Sequence, residues 1–371
     1  MDLFVYGTLL SHDLMATVAG PGAFAPLRAS LPDYRVRPIA GEVFPCIAPA
    51  PGQAADGIVW CDLSPAQIAR LDLYEGEFGY RLEEVSVVVD GASRKASCYM
   101  PPDGIEEGQG EWSLDAWEAT HLSPGLLAAT ELFSHRPLPE TGALRRMWPM
   151  MEARAWSKHR AVAAPATIRH DPKPGDARIV AAHPPQGSFF RFQGVDVTHR
   201  RFDGTRSHVM VRETFLGCDA ALVLPYDPAR DRVLLVEQVR MGPLARHDPN
   251  PWMLEPVAGM IDARETPQDA ALREAKEEAN LDIRRLEPAA DFYASPGESS
   301  SYFYCFVGLC DLPDDKRYHG GLADEHEDLR LHPLDFADAM GLAASGEVAT
   351  GPLQMLLYWL AYHRDRLRAL S

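Results

Sequence analysis

Residues 259–281 limit most tightly what this chain can fold into and what chemistry it can carry. The stretch begins with a glycine loop that delivers Glu265, and it continues into a segment with helical spacing. That segment carries Glu274, Glu277 and Glu278 at spacings of three and four residues, which place their carboxylates on one helix face. A hard dication such as Mg²⁺, which prefers oxygen ligands, offsets the repulsion between them. The stretch therefore predicts metal-assisted chemistry on a phosphate group.

Bulk properties exclude several classes of protein. A chain of 371 residues suggests at least two domains, since single cores stop growing near roughly 250–300 residues. A formal charge of −17 argues against nucleic acid or an anionic membrane as the main partner. The six cysteines form no CxxC pair, and the N-terminal run MDLFVYGTLL lacks a basic leader. We therefore expect a cytoplasmic protein with reduced thiols, no signal peptide and no membrane span.

Residue patterns divide the chain into three parts. Short strands fill the first 110 residues or so, followed by helical pieces over residues 111–135. Prolines between residues 137 and 174 suggest a linker with one helix near Arg145 to Ala155. Strands and helices then return. The sequence predicts a two-domain α/β (α+β) protein with domains at 1–135 and 176–371, and a linker at 136–175.

Several elements follow from local signals. Ser64 is a predicted helix N-cap, and Asp203-Gly204 is a predicted hairpin turn. The predicted strands cover residues 3–6, 57–63, 82–90, 189–197, 209–215, 220–224, 233–239 and 302–309, and the predicted closing helices cover 334–345 and 350–368.

The acidic stretch resembles the Nudix box, in which Gly, five residues, Glu and seven residues precede Arg-Glu-apolar-x-Glu-Glu-x-Gly-apolar. Eight positions match over more than twenty, which disfavours the alternative of a solvated acidic helix. Asn280 stands where the family has glycine, and asparagine is the next-best residue for a left-handed helix cap. The resemblance implies that Glu265 and Arg273 form an ion pair that holds the loop to the helix. It also makes Glu274, Glu277 and Glu278 metal-ligand candidates.

A wider region, from about residue 188 to residue 363, is similar to bacterial ADP-ribose pyrophosphatases of the Nudix group. This resemblance implies hydrolysis of ADP-ribose to AMP and ribose 5-phosphate with two or three Mg²⁺ ions, for which Mn²⁺ is a substitute. The alternative is another nucleoside diphosphate sugar, because loops set the substrate. The matching segments are Val211-Arg212-Glu213, Glu237-Gln238-Val239-Arg240, Trp252 to Gly259, Ser295-Pro296-Gly297 and Gly321 to Asp328.

The same resemblance implies roles for individual residues. Glu325 becomes the general base and Glu327 an outer metal ligand, and the carbonyl of Ala258 offers a further hard oxygen. Arg212 and Arg240 are suited to fork onto phosphate or ribose oxygens. The alternatives are a surface ion pair for Arg212 and core packing for Phe189 and Phe190. The remaining substrate-binding candidates are Glu255, Gly259, Ser295, Phe189 and Phe190, of which the phenylalanines match positions that stack on adenine.

The N-terminal part carries a second motif, in which a strand runs into Tyr6-Gly7-Thr8-Leu9. Such a loop turns backbone N–H groups outward at a glycine and predicts a small anion nest. Together with Glu75 and Tyr80-Arg81, it resembles the γ-glutamyl cyclotransferase-like (AIG2-like) family over about residues 1–110. The resemblance implies that the loop holds a γ-glutamyl group. It also implies that Glu75 moves a proton as the α-amine attacks the γ-carbonyl, which releases 5-oxoproline.

The two resemblances together imply the architecture and the partners. They imply a small β-barrel with helices, joined to a Nudix α/β/α sandwich with a mixed sheet. The fused pair resembles bacterial tellurite-resistance proteins of the TrgB type, although no residue here explains tellurite chemistry. Expected partners are a nucleotide sugar and a γ-glutamyl compound, and the alternative for the N-terminal domain is a ligand-sensing or docking module. Related pyrophosphatases exchange an N-terminal hairpin between subunits, so a homodimer is expected in which residues 188–215 complete the partner's pocket.

Overall fold

The computed structural model divides the chain into two compact units, Met1–His170 and Asp171–Ser371. Both units mix helices and strands, which confirms the predicted fold class. The residues that the structure describes are 1–22, 25–76, 78–140, 142–161, 166–187, 189–314, 318–322 and 327–369.

A closed five-stranded barrel forms the centre of the first unit. The barrel closes where the first strand pairs in parallel with the fifth, as Leu3 lies opposite Ser97. Phe4, Val59 and Cys98 are buried inside it. The predicted small barrel is thus confirmed. In the order β1-β3-β2-β4-β5, its strands are β1 Leu3–Val5, β2 Pro26–Pro38, β3 Pro45–Trp60, β4 Arg81–Val89 and β5 Ala92–Met100.

Four helices of the first unit share a second hydrophobic core outside the barrel, and Leu14, Leu71 and Leu132 lie at its centre. Ser64 begins the second helix as predicted. Its Oγ accepts from the N–H of Gln67 at 3.3 Å, while Gln67 Oε1 accepts from the N–H of Ser64 at 2.8 Å. The helices are α1 His12–Ala19, α2 Pro65–Gly76, α3 Leu114–Leu132 and α4 Leu144–Arg160.

Helix α4 covers the helix predicted near Arg145 to Ala155 and is longer at both ends. It packs against α3 through a buried ion pair, in which Arg154 Nη2 lies 2.6 Å from Glu131 Oε1. The first compact unit accordingly continues to His170. The predicted domain boundaries at residues 135 and 175 stay a prediction. The structure shows in addition that α4 packs in the first unit.

A mixed eight-stranded sheet forms the core of the second unit. Strand β14 (Tyr302–Leu309) runs parallel to β9 (Ala220–Asp227), and the other pairs of strands are antiparallel. Helix α6 (Pro267–Ala279) covers one face, and α7 (Phe336–Ser345) and α8 (Gly351–Arg368) cover the other. The predicted sandwich is confirmed. Its strands are β9 Ala220–Asp227, β10 Arg232–Val239, β11 Trp252–Glu255, β12 Val257–Met260, β13 Arg285–Tyr293, β14 Tyr302–Leu309, β15 Tyr318–Gly320 and β16 Leu329–Asp335, and the short helix α5 covers Met241–Ala245.

A separate three-stranded sheet precedes this core and contains the predicted hairpin. Its strands are β6 (Ala177–Ala182), β7 (Arg191–His199) and β8 (Met210–Leu216). In the predicted turn, the N–H of Thr205 donates to Asp203 Oδ1 at 2.8 Å. Strand β6 was not predicted from the sequence.

Several predicted boundaries are wrong by two or more residues, among them the strand placed at residues 189–197, which is β7 at Arg191–His199. The strand placed at residues 57–63 is the end of the much longer β3, which stops at Trp60. The helix placed from Leu334 begins at Phe336, because Leu334 and Asp335 pair with β10 instead. All six cysteines are free and buried. Within the described part of the chain, no helix combines the length and apolar character that a membrane span needs.

Candidate functional site

Local sequence signals fix both ends of α6, the helix that carries the acidic residues. Thr266 caps its start, as the Thr266 hydroxyl accepts from the N–H of Asp269 at 3.1 Å. At its end Asn280 adopts φ 50° and ψ 38°, and its N–H donates to the carbonyl of Lys276 at 3.0 Å. The expectation that asparagine replaces the cap glycine is therefore confirmed.

Arg273 joins the glycine loop to the helix. Its Nε and Nη2 each donate to a Glu265 oxygen at 2.9 Å, and Nη2 also donates to the carbonyl of Met260 at 3.0 Å. The predicted ion pair is thus present. The same guanidinium also contacts Glu274 at 2.6 Å and Glu277 at 3.0 Å. Sequence spacing did not reveal these contacts, because it gives the helix face and not the direction of each side chain.

The carboxyl group of Glu274 fills the space beside Gly259. A Cβ added at Gly259 would lie 1.8 Å from Glu274 Oε1, so that only glycine leaves room for this arrangement. One turn further along α6, Glu278 is 2% exposed, and its Oε2 accepts from the N–H of Ala258 at 3.3 Å. Strand β12 therefore supports both carboxyl groups, at adjacent residues.

Burial raises the pKa of both carboxyl groups. The pKa of Glu274 rises to about 7, mainly through desolvation and then through Glu277 and Glu327, although Arg273 opposes the rise. The pKa of Glu278 rises to about 8, through desolvation first and then through Glu274 and Glu327. These carboxylates thus act on one another within one partly water-excluded region.

Three further predicted residues, Arg240, Glu255 and Glu327, lie at the site of Glu274 and Glu278. Arg240 Nε donates to Glu255 Oε2 at 2.7 Å, and Arg240 partly offsets the raised pKa of Glu278. Burial also raises the pKa of Glu255, and Arg240 opposes this rise. On the opposite side, Glu327 Oε2 accepts from the N–H of Leu322 at 3.1 Å. The sequence indicated Arg240 and Glu255 separately, and only the structure shows them as a pair.

The donor set fits a hard dication chemically, although its atoms are not arranged around one. No group of three or more His, Cys, Asp or Glu side chains surrounds a common metal position in the described ranges. Oxygens of Glu274 and Glu277 instead face the Arg273 guanidinium. The observation that tests the fit is the crowding of Glu274 and Glu278, which are buried close enough for the Glu274 charge to add to the raised pKa of Glu278, a repulsion that a hard dication would relieve.

The remaining predicted substrate residues lie on the hairpin sheet and a neighbouring loop. Phe189 and Phe190 are 51% and 52% exposed, which argues against the core-packing alternative, and Phe190 contacts Phe215 with ring centroids 5.0 Å apart. Ser295 donates to Glu298 at 3.1 Å, and the carbonyl of Glu298 accepts from the N–H of Phe215 at 2.7 Å. The structure thereby brings the two phenylalanines and the Ser295 loop together at the end of β8.

Two predicted residues are not part of these groupings. Arg212 is exposed and donates to its neighbour's carbonyl, that of Val211, at 2.8 Å. It makes no ion pair with any residue that the structure describes, which argues against the ion-pair alternative. Glu325, the predicted general base, lies outside the described residues.

Of the N-terminal candidates, Tyr6 lies near Glu75 of α2. Tyr6 follows β1, Gly7 lies close to Pro45, and Thr8 begins a short 3₁₀ helix that includes the buried Leu9. Burial raises the pKa of the partly buried Glu75 to about 7. Burial raises the pKa of the Tyr6 phenol, and Glu75 is among the groups whose charge adds to that rise.

Tyr99 of β5 is a residue of this site that the sequence did not reveal. The Tyr6 hydroxyl donates to the carbonyl of Tyr99 at 3.1 Å, and the Tyr99 hydroxyl donates to Asp72 Oδ1 at 2.6 Å. Asp72 lies three residues before Glu75 on α2, a spacing that could have indicated a shared face. The chain of hydrogen bonds joins the Tyr6 loop to the helix that carries Glu75.

Comparisons with known proteins agree with this division. The NUDIX domain model matches residues 218–349, and the gamma-glutamyl cyclotransferase, AIG2-like model matches residues 3–119. The ADP-ribose pyrophosphatase of Escherichia coli (strain K12) is 39% identical over 195 residues, covering 52% of this chain and 91% of that protein. The ADP-ribose pyrophosphatase of Haemophilus influenzae is 34% identical over 197 residues, covering 52% and 89%. The GDP-mannose pyrophosphatase of Yersinia enterocolitica is 27% identical over 161 residues, covering 43% and 83%.

The acidic helix with the glycine beside it, and a 39% identical relative that this chain covers over 91% of its length, indicate the same family. The chain belongs to the NUDIX family as a hydrolase, and it carries in addition an N-terminal gamma-glutamyl cyclotransferase, AIG2-like domain.

Proposed function

We propose that the second unit hydrolyses the pyrophosphate bond of ADP-ribose to give AMP and ribose 5-phosphate, with Mg²⁺ as its cofactor. The observation that carries the proposal is the burial of Glu274 and Glu278 side by side against Gly259 and Ala258. The relatives named ADP-ribose pyrophosphatase support the choice of substrate. The 27% identical relative named GDP-mannose pyrophosphatase supports the alternative, another nucleoside diphosphate sugar.

Each residue has a proposed task in this reaction. Bound Mg²⁺ would supply positive charge to the diphosphate oxygens and acidify the attacking water. Arg273 keeps the glycine loop against α6, and Glu255 orients Arg240 toward a phosphate or ribose oxygen. Glu325 accepts the proton of the attacking water, a role that stays a prediction from resemblance. The proposed metal-holding groups, for two or three ions, are the Ala258 carbonyl and the side chains of Glu274, Glu277, Glu278 and Glu327.

The hairpin sheet and the Ser295 loop have the proposed task of holding the nucleoside. Phe189 and Phe190 present exposed rings suited to stacking on a base. Ser295 offers a hydroxyl beside them, and Arg212 offers an exposed guanidinium without an acidic partner in the described part of the unit. Adenine on the phenylalanines and phosphate on the arginines is the arrangement that we propose.

Substrate turnover tests the assignment directly. The full chain is incubated with ADP-ribose, GDP-mannose and other nucleotide sugars, with Mg²⁺, with Mn²⁺ or with a chelator. We expect the highest kcat/KM for ADP-ribose with Mg²⁺, a lower value with Mn²⁺ and no turnover with the chelator. Faster hydrolysis of a different nucleotide sugar would establish the alternative, and turnover that survives chelation would remove the cofactor assignment.

A single substitution tests the metal-ligand role of Glu278. Glu278→Gln keeps the size of the side chain and removes its charge, so kcat should fall by about a hundredfold or more, the usual effect of losing a charge that stabilises the transition state. Glu347→Gln, at an exposed glutamate, is the matched control. If the Glu278 variant turned over like this control while its melting temperature was unchanged, Glu278 would not be a ligand.

The second candidate function is release of 5-oxoproline from a γ-glutamyl compound by the first unit. The observation that favours it is the pKa of Glu75, about 7, next to the Tyr6 loop, because such a carboxyl group both accepts and donates a proton near neutral pH. A panel of γ-glutamyl compounds is compared for wild type and Glu75→Gln. Absence of product from every compound would favour a ligand-sensing or docking module.

Other expectations belong to the same proposal. Exposed apolar side chains on the hairpin sheet, such as Ile179 and Val211, support a homodimer in which residues 188–215 reach the partner's pocket. The free buried cysteines support a reducing compartment, the cytoplasm. The link to tellurite resistance of the TrgB type rests on domain order alone.

A further inference from the structure

Helix α4 belongs to neither of the two family matches, since one ends at residue 119 and the other begins at residue 218. It is nevertheless a fixed part of the first unit. Arg154 and Glu131 join it to α3, and Leu144 and Met151 are buried in the same hydrophobic core as Leu71 of α2. The position of α4 beside α2 is therefore set by core packing.

The side chain of Trp148 on α4 faces the helix that carries Glu75. Its ring lies edge-to-face with Tyr74 at 5.8 Å and with Phe78 at 5.6 Å between centroids. Tyr74 precedes Glu75 in the chain, and the N–H of Phe78 donates to the carbonyl of Glu75 at 3.1 Å. Both ring partners of Trp148 are thus held next to the candidate proton carrier.

These rings are accessible to a ligand. Trp148, Tyr74 and Phe78 are each only partly buried, as is Glu75. A ligand bound at Glu75 therefore has partly exposed aromatic side chains close by. We call Tyr74, Phe78 and Trp148 the aromatic wall.

The charges that act on the aromatic wall are acidic. Burial raises the pKa of Tyr74, and the charges of Glu75 and Glu152 add to that rise. Two carboxyl groups therefore act on the Tyr74 part of the wall, which disfavours an anionic group there. Flat apolar groups gain most from such a surface.

We propose that Trp148 is a specificity-determining residue of the Glu75 site, where it packs against the substituent on the γ-amide nitrogen and favours aromatic amines over small ones. This inference rests on the cyclotransferase activity proposed above. In the reaction, the α-amino nitrogen bonds to the γ-carbonyl carbon, and the bond from that carbon to the amide nitrogen breaks. Glu75 takes a proton from the attacking nitrogen and gives it to the leaving nitrogen, so the products are 5-oxoproline and the free amine. The wall lies beside the leaving amine and takes no part in the proton transfer.

A matched pair of substrates isolates the contribution of the wall. γ-Glutamyl benzylamide and γ-glutamyl methylamide carry the same reacting atoms and differ only in the group that would meet Trp148. Wild type should prefer the benzylamide in kcat/KM by about tenfold or more, the discrimination typical of an apolar pocket. Most of the difference should be in KM, because the wall contacts the substituent and not the reacting atoms.

Two substitutions and one control then locate the effect. Trp148→Leu should reduce the preference to within about threefold, and Trp148→Phe should retain an intermediate preference, as expected for loss of an aromatic contact. Trp156→Leu on the same helix is the control, because the Trp156 ring packs instead against His121 and His159 at 5.8 and 5.5 Å. Trp156→Leu should keep the wild-type turnover of both amides, and both Trp148 variants should keep the wild-type melting temperature, which a general loss of folding would not allow.

The outcomes separate this inference from the activity on which it rests. Product from both amides with equal kcat/KM in wild type and Trp148→Leu would overturn the role of Trp148 and leave the cyclotransferase activity established. No 5-oxoproline from either amide or from any other γ-glutamyl compound would overturn both. If the Trp156 and Trp148 variants lost the preference for the benzylamide equally, the preference would depend on the packing of α4. That result would overturn the proposed contact between Trp148 and the substrate.

Discussion

At the scale of single residues, the space beside Gly259 decides where the Glu274 carboxylate lies. A methyl group at residue 259 would come within 1.8 Å of Glu274 Oε1 and 2.6 Å of its Cγ, so Gly259→Ala must displace that side chain. We expect kcat for ADP-ribose to fall by about a hundredfold, as for loss of one group that stabilises charge in the transition state. Steady-state kinetics measures this.

The control for this prediction is Gly242→Ala. A Cβ at Gly242 meets nothing within 4 Å, and its turnover should equal that of wild type. Activity of Gly259→Ala within about threefold of this control would show that the carboxylate position beside Gly259 does not matter for the reaction.

Glu75 gives a residue-level prediction about pH. Burial raises its pKa from 4.5 to about 7, so the folded state holds its proton more tightly than the unfolded state. The first unit should therefore lose stability as pH rises from about 4.5 to 7 and level off above that, by up to roughly 3 kcal/mol at about 1.36 kcal/mol for each pKa unit. Glu75→Gln lacks this loss. Urea unfolding at pH 5 and pH 8 measures the difference between the variant and wild type.

The exposed Glu111 supplies the control for the pH prediction. Glu111→Gln should follow wild type at both pH values. The raised pKa of Glu75 would be contradicted if the stability difference between Glu75→Gln and wild type were the same at pH 5 and pH 8.

At the scale of elements, the end of α6 depends on the left-handed conformation of Asn280. Alanine at this position should destabilise the second unit by about 1–2 kcal/mol, because its Cβ is strained there. Glycine adopts the conformation freely and should stay within about 0.5 kcal/mol of wild type. Urea unfolding of the two variants tests this. Equal stabilities for Asn280→Ala and Asn280→Gly would mean that the cap does not limit the helix.

Elements with local signals were predictable from the sequence. Asn280 and Ser64 act on neighbouring residues through backbone geometry, and both caps are as predicted. Strand β14 was predicted at its observed bounds because its apolar run is short and continuous. These features depend on few long-range contacts, so local sequence patterns are sufficient to predict them.

Elements fixed by distant contacts were not predictable in the same way. A helix was predicted near Arg145 to Ala155, but the prolines around it suggested that it lies in a linker, whereas burial of Met151 and Arg154 packs it in the first unit. The space that Gly259 leaves for Glu274 likewise depends on how α6 packs on β12. Sequence spacing indicated which residues the candidate site contains, and packing between elements decided which of them meet.

At the scale of the whole molecule, each hydrophobic core belongs to one unit. The cores around Leu71 and Val59 lie in the first unit, and those around Leu224 and Val236 lie in the second. Damage to one unit should then leave the chemistry of the other unchanged, because sites that share no partners usually act independently.

The buried Glu131–Arg154 pair allows this independence to be tested. Glu131→Ala leaves the 1% exposed Arg154 side chain without its carboxylate and should destabilise the first unit by about 3–5 kcal/mol. Hydrolysis of ADP-ribose should stay within about twofold of wild type, because Glu278 and its neighbours lie in the other unit. Calorimetry should show two transitions, of which only one moves to lower temperature.

The exposed Glu84–Lys95 pair is the matched control, with the same 2.6 Å separation and side chains 66% and 76% exposed. Glu84→Ala should cost less than about 1 kcal/mol, since water already screens that pair. A single unfolding transition in which Glu131→Ala lowers both the melting temperature and ADP-ribose turnover would show that the units fold and act as one. Two transitions with unchanged turnover would instead establish two units that unfold independently, in line with the burial of Glu75 and Glu278 in different units.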